Sequence, residues 1–165
     1  MIDTSAYTLR ISQAGPVQLV VINFELIIDF LNAAKNAAEK ATSTEDMDTF
    51  REGIQKGKNA LDELIASLNF DTPLALGFYE IYRYAYKRLS DIHYTLDPQK
   101  ACDAVEEVLE LMDTLLKGWQ DAASKAENDV PQTGDAPKVY TGLTYGRDGN
   151  ANEYIDEGGG RSFMA

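Results

Sequence analysis

The chain has 165 residues, a length that suits one domain, and its 44 % apolar and 25 % charged content argues against wholesale disorder. Acidic residues number 27 against 15 lysines and arginines, a net charge of −12 that repels phosphate backbones and anionic lipid, so neither nucleic acid nor bare membrane is an expected partner. The single cysteine, Cys102, can form no internal disulfide and no cysteine-built metal site.

Residues 1–15 form an N-terminal segment whose apolar handles are Tyr7, Leu9 and Ile11. It holds no basic stretch followed by a pure apolar core, so no secretory signal is expected. A first helix is predicted from Pro16, where the missing N–H costs nothing, through VQLVVINFELIIDFLNAAKNAAEK. Val20, Phe24, Ile27, Leu31 and Ala34 fall on one stripe, and Leu19, Ile22, Leu26, Phe30 and Ala33 on a second beside it. Two stripes imply a helix that sits centrally or faces a groove. The apolar run 17–31 is interrupted by Gln18, Asn23, Glu25 and Asp29 and is too short and polar for a membrane span. A soluble, cytoplasmic protein is expected.

A second helix follows Ser43-Thr44, with Asp46 three residues past Ser43 as a weak capping box. Its apolar set is Met47, Phe50, Ile54, Leu61, Leu64, Ile65 and Leu68. Gly53, Gly57 and Ala60 share a neighbouring face, although each mid-helix glycine costs about 1 kcal/mol relative to alanine. That face serves either close helix–helix approach or a shallow floor for a partner helix. A third helix is predicted from Thr72-Pro73 to about Leu96, with Phe78, Tyr82, Ala85, Leu89 and Ile92 as core stripe and Tyr79, Tyr82 and Tyr86 as an aromatic line. Asp97-Pro98 opens the fourth, whose seam is Ala101, Val105, Val108, Met112, Leu115, Trp119 and Ala122. Asp103, Glu106, Glu107, Glu110 and Asp113 lie off that seam as a solvated face. Links of a few residues make successive helices antiparallel neighbours. The predicted fold is therefore all-α, an up-and-down four-helix bundle over residues 16–126. Residues 127–165 hold seven acids, three bases and a Gly158–Gly160 run without helical or alternating period, and read as a mobile tail. Within it Val139, Tyr140, Leu143 and Tyr145 form an apolar cluster that either docks weakly on the bundle or belongs to a merely solubilising floppy tail.

Chemistry-bearing patterns are scarce. The only histidine, His93, has Ser90 rather than Glu three residues before it, so the carboxylate–histidine pairs of metal-binding bundles cannot be built. No glycine-rich loop precedes a Lys-Ser/Thr pair. His93 reads as a helix-end residue whose protonation would suit the negative end of the dipole, and Cys102 as a small buried side chain. No catalytic residue, metal or cofactor is expected.

Four segments carry a family likeness. Ala14-Gly15-Pro16-Val17-Gln18-Leu19 leads into an apolar helix; Asn59-Ala60-Leu61-Asp62-Glu63-Leu64 is followed by Leu68; Ile81-Tyr82-Arg83-Tyr84-Ala85-Tyr86-Lys87-Arg88-Leu89 is the most telling; and Trp119-Gln120-Asp121-Ala122 closes the last helix. In order and spacing they resemble the flagellin-specific secretion chaperone family, FliS, over about three-quarters of the chain. Departures are Gly15 for the usual Ser, Asn23-Phe24 for Leu-Tyr, Gly57 for Ala, His93 for Asn, and the long tail.

The resemblance implies a non-enzymatic cytoplasmic chaperone. It would bind the disordered C-terminal segment of flagellin, prevent premature polymerisation, and deliver it to a flagellar export gate component. An unfolded apolar client needs borrowed core surface, which helix-in-groove contacts supply. Candidate anchors are Val20, Phe24, Ile27, Phe50, Ile54, Tyr79, Tyr82 and Tyr86. The N-terminal segment would cover the free groove through Tyr7 and Ile11, and Tyr7 resembles the family tyrosine tied to gate docking. A second reading is a helical regulatory module that sequesters another protein, such as an anti-sigma factor.

Overall fold

A computed structural model describes residues 5–128. Regular structure among them is all α-helical: α1 (Ser5–Gln13), α2 (Pro16–Lys40), α3 (Asp46–Ala66), α4 (Ala75–Ile92) and α5 (Pro98–Asn128). Glu127 and Asn128, expected to open the tail, belong to α5, and the rest of it, with the cluster Val139, Tyr140, Leu143 and Tyr145, lies outside the described residues.

Local chemistry sets the helix starts. Gly15 is extended before Pro16, the first residue of α2. At α3 the Ser43 and Asp46 box closes reciprocally: Ser43 N–H donates to Asp46 Oδ2 at 3.0 Å, and Asp46 N–H to Ser43 Oγ at 3.3 Å. Hydrogen bonds from Thr42 and then Ser43 hold the Asp46 carboxyl below the usual carboxylate range. Asp97 Oδ1 accepts from the Gln99 and Lys100 N–H groups and caps α5. α4 begins at Ala75, later than the Thr72-Pro73 signal predicts. The Thr72 hydroxyl donates back to the Asn69 carbonyl at 2.9 Å and serves the preceding turn. It also ends at Ile92 rather than Leu96, where Thr95 N–H turns back to the Ile92 carbonyl.

α2 packs between α3 and α5, and α4 packs against both α3 and α5. Cross-helix partners give the directions. Gln18 reaches Glu127 while Lys35 reaches Glu106, so α2 and α5 run antiparallel. Phe78 meets Trp119 while Arg88 meets Glu107, so α4 and α5 do likewise. The core is built from Val20, Phe24, Ile27, Leu31, Phe50, Ile54, Leu61, Tyr82, Leu89, Val105 and Met112, each sealed from solvent.

The glycine face of α3 is occupied from within the chain. A Cβ on Gly53 would stand 2.8 Å from Ala34 Cβ and 3.0 Å from the Phe30 carbonyl oxygen, and one on Gly57 would stand 3.0 Å from Leu31 Cδ2. The face therefore serves close approach of α2, and the alternative of a floor for a partner helix is overturned. At 25 residues α2 is also long and apolar enough to cross a membrane by length and composition. The apolar run 17–31 taken alone is too short for that. Packing on two sides accounts for the apolarity: its first stripe is core.

Candidate protein-binding surfaces

The second stripe of α2 is where the interior ends. Leu26 and Phe30 are half-buried, and Ala33 is exposed. Ile22 is only 4 % exposed yet is not part of the main core cluster, and it lines a groove beside α1. Arg10 and Gln13 of α1 line a groove of about 630 Å³ together with Val21 and Ile22 of α2 and Gln120 and Ala123 of α5.

α1 buries no residue of its own. Polar ties hold it. The Tyr7 hydroxyl donates to Asp29 Oδ2 at 2.5 Å, Arg10 Nη1 lies 2.5 Å from Glu25 Oε2, and the Arg10 guanidinium sits 5.6 Å from the Tyr7 ring centre. Burial and then the Asp29 carboxylate push the Tyr7 phenol up to about 12. Leu9 and Ile11, expected to press apolar surface onto the groove, are exposed. This corrects the expectation: Tyr7 is the handle that touches α2, and α1 lays its charged edge on Glu25 and Asp29. Sequence reasoning missed Arg10 and Glu25 as a pair because their 15-residue separation carries no periodic signal.

A second surface runs along the outside of α4. Tyr79, Glu80, Arg83, Tyr84, Tyr86, Lys87 and Ser90 line a shallow groove of about 560 Å³. Phe70, more than half exposed, packs edge-on to Tyr79 at 5.7 Å and extends the aromatic surface toward the exposed Leu74 and Leu76. Tyr84 and Arg88 both bond Glu107 across to α5. The expected aromatic line is thus divided: Tyr79 and Tyr86 are half-buried on the outside, while Tyr82 turns inward between Phe24 and Phe78.

The remaining predicted anchors go to the interior. Val20, Phe24, Ile27, Phe50, Ile54 and Tyr82 are 0–1 % exposed, so in this structure they fill the core and present no face outward. The sequence gives no means of dividing one apolar stripe from the next on α2; only the packing of α3 and α5 does so. The acidic set on α5 is exposed as expected, with Glu107 held below the ordinary carboxylate range by Arg88 and Tyr84.

His93 departs from expectation. It is buried at the end of α4, stacked on Tyr94 at 4.6 Å, and faces Lys58 and Arg51. Burial, then those two cations, lower its pKa, against the expectation that protonation is favoured there. Cys102 is a buried thiol near the Lys35 carbonyl, and burial raises its pKa. Among the described residues no three His, Cys, Asp or Glu side chains are grouped to hold a metal ion.

The described residues thus form an all-helical protein with a short helix tied to its body by polar contacts and a second, aromatic groove beside it. The family model described as flagellar protein FliS matches residues 4–126. The chain belongs to the FliS family, and with it to a family of flagellar chaperones. No curated protein matches the chain.

Proposed function

We propose that the chain is a cytoplasmic chaperone that binds the disordered C-terminal segment of flagellin, prevents its premature polymerisation, and assists its export through the flagellar type III apparatus. Helices α2–α5 act as an antiparallel up-and-down four-helix bundle, and α1 as a removable cover. The observation that carries this reading is the α1 seam: a helix with no buried residue shares a groove with Ile22, which is buried outside the main core cluster. Such a cover can leave without opening the core. Its departure opens the groove at Val21 and Ile22, on which an apolar client helix can lie.

Ordering an unfolded client costs about 2–5 kcal/mol of gross interaction, which a few buried anchors of about 1.5–3 kcal/mol each offset. Tyr79 and Tyr86 offer a further contact, since a ring with a polar tip suits a half-wet interface. Release of α1 frees Tyr7 from Asp29, and the freed tyrosine with Ile11 is the element offered to the export gate.

Titration calorimetry of the full chain with the C-terminal peptide of flagellin from the same organism tests the reading. Saturable binding with a negative heat-capacity change is expected. No heat, together with co-purification of a different stoichiometric partner such as an anti-sigma factor, overturns it. Removing residues 1–13 is expected to tighten or leave unchanged that affinity; a large loss rules out the cover role.

A further inference from the structure

The outer groove of α4 is cationic in a protein of net charge −12. Its middle is the Tyr86 ring, which carries two cations: Lys58 Nζ at 4.9 Å and the Arg83 guanidinium at 5.6 Å from the ring centre. Lys58 is 8 % exposed, and neither it nor Arg83 has a carboxylate within ion-pair distance among the described residues. Lys87 stands on the same wall, paired only with Asp91 in an exposed i,i+4 bridge of the kind that contributes little. Ser90 Oγ, buried at the groove's edge, has no hydrogen-bond partner among the described residues. Glu80 is the one acidic residue on the groove wall. The surface thus combines aromatic rings, the Arg83 guanidinium without an ion pair, the weakly paired Lys87 and an unmet hydroxyl, and the ligand that complements it is a short peptide with carboxylates around an apolar centre.

The chain carries one. Glu153-Tyr154-Ile155-Asp156-Glu157 sets three carboxylates around Tyr-Ile. We propose that this segment docks in the α4 groove, with its carboxylates toward Arg83 and Lys87 and Tyr154 and Ile155 against Tyr79 and Tyr86. The tether fits. Phe78 lies level with Trp119, and Arg88 with Glu107, so the groove lies about 14–32 Å back along α5 from Asn128 at 1.5 Å per residue. A coil of about 25 residues has a root-mean-square span of roughly 27 Å. A tether matched to its span makes the docking intramolecular at an effective concentration on the order of millimolar, so a weak contact suffices. The inference does not depend on which client the chain serves.

Zero-length carbodiimide coupling of the dilute full chain, read by peptide mass spectrometry, tests it. Crosslinks from Lys87 to Glu153, Asp156 or Glu157 are expected, within one molecule and suppressed by about 0.5 M salt, where the Debye length falls to a few ångströms. R83E keeps the Lys87 amine and is expected to cut their yield several-fold, while the Lys87–Asp91 crosslink persists as the internal control. Y154A/I155A, altered only in the segment, is expected to do the same. Hydrogen exchange at residues 153–157 should be slower in the unaltered chain than in R83E. Equal yields and equal exchange in all three chains overturn the proposal, as do crosslinks that form between copies and rise with protein concentration.

Discussion

The two seams of α2 make opposite use of one helix. On the α3 side, Gly53 and Gly57 bring the backbones close enough that a single added methyl collides. The contact is dry and continuous with Leu31, Phe50 and Ile54. On the α1 side, a nine-residue helix buries nothing of its own and rests on Tyr7–Asp29 and Arg10–Glu25. Close packing resists loss of even one methylene, whereas solvent-accessible polar ties exchange readily for water. In the function proposed above, the first side stays shut and the second opens at small cost.

Substitutions sharpen that contrast, beginning inside the first seam. Phe24→Ala should cost about 3–5 kcal/mol in denaturant melts, because Phe24 is fully buried and contacts Tyr82. Gly53→Ala should destabilise by about 1–3 kcal/mol, the cost of overpacking, despite its better helix propensity, since its methyl meets backbone as well as Ala34. Gly57→Ala meets only the mobile end of Leu31 and should stay within about 0.5 kcal/mol of the parent. If the two glycine variants melt alike, the close-approach account fails.

The second seam should respond locally. Tyr7→Phe should leave the global melting midpoint unchanged and speed amide exchange across residues 5–13 about fivefold, the loss of a hydrogen bond worth about 1 kcal/mol. The Tyr7 phenol is raised from 10.0 to about 12 on docking. Its contribution is complete below pH 10 and is lost as pH rises through 12. Exchange across α1 should therefore accelerate in that window, and Tyr7→Phe should abolish the step. The smallest effect belongs to His93. Its pKa is lowered from 6.5, so its contribution is present above pH 6.5 and lost as pH falls through the lowered value. Urea midpoints should fall on acidification, and His93→Phe should reduce the fall.

Much of the helical layout could be read from the chain itself. Pro16, the Ser43–Asp46 box and Asp97 are local signals, and each acts at the helix start it marks. Thr72-Pro73 misled by a few residues because a hydroxyl can serve the turn behind it as well as the helix ahead. α1 carries no legible helix signal: it buries no apolar stripe, and it depends on Arg10 and Tyr7 finding acids on α2. The anchor residues were the hardest to read. Val20 and Ile22 are both apolar and two positions apart, and only the arrival of α3, α5 and α1 decides which is core and which lies at the removable edge.

Unequal helix lengths have a consequence of their own. α5 has 31 residues and α4 only 18, about 46 Å against 27 Å. With Phe78 at the level of Trp119, the last two turns of α5 overshoot the start of α4 and pair with the first turns of α2 at Gln18. That overhang supplies one wall of the ledge beneath α1. The height of that wall is therefore set by how far α5 runs past the start of α4. Ending α5 one turn earlier would take Glu127 from the ledge while the contact of Phe78 with Trp119 stayed as it is.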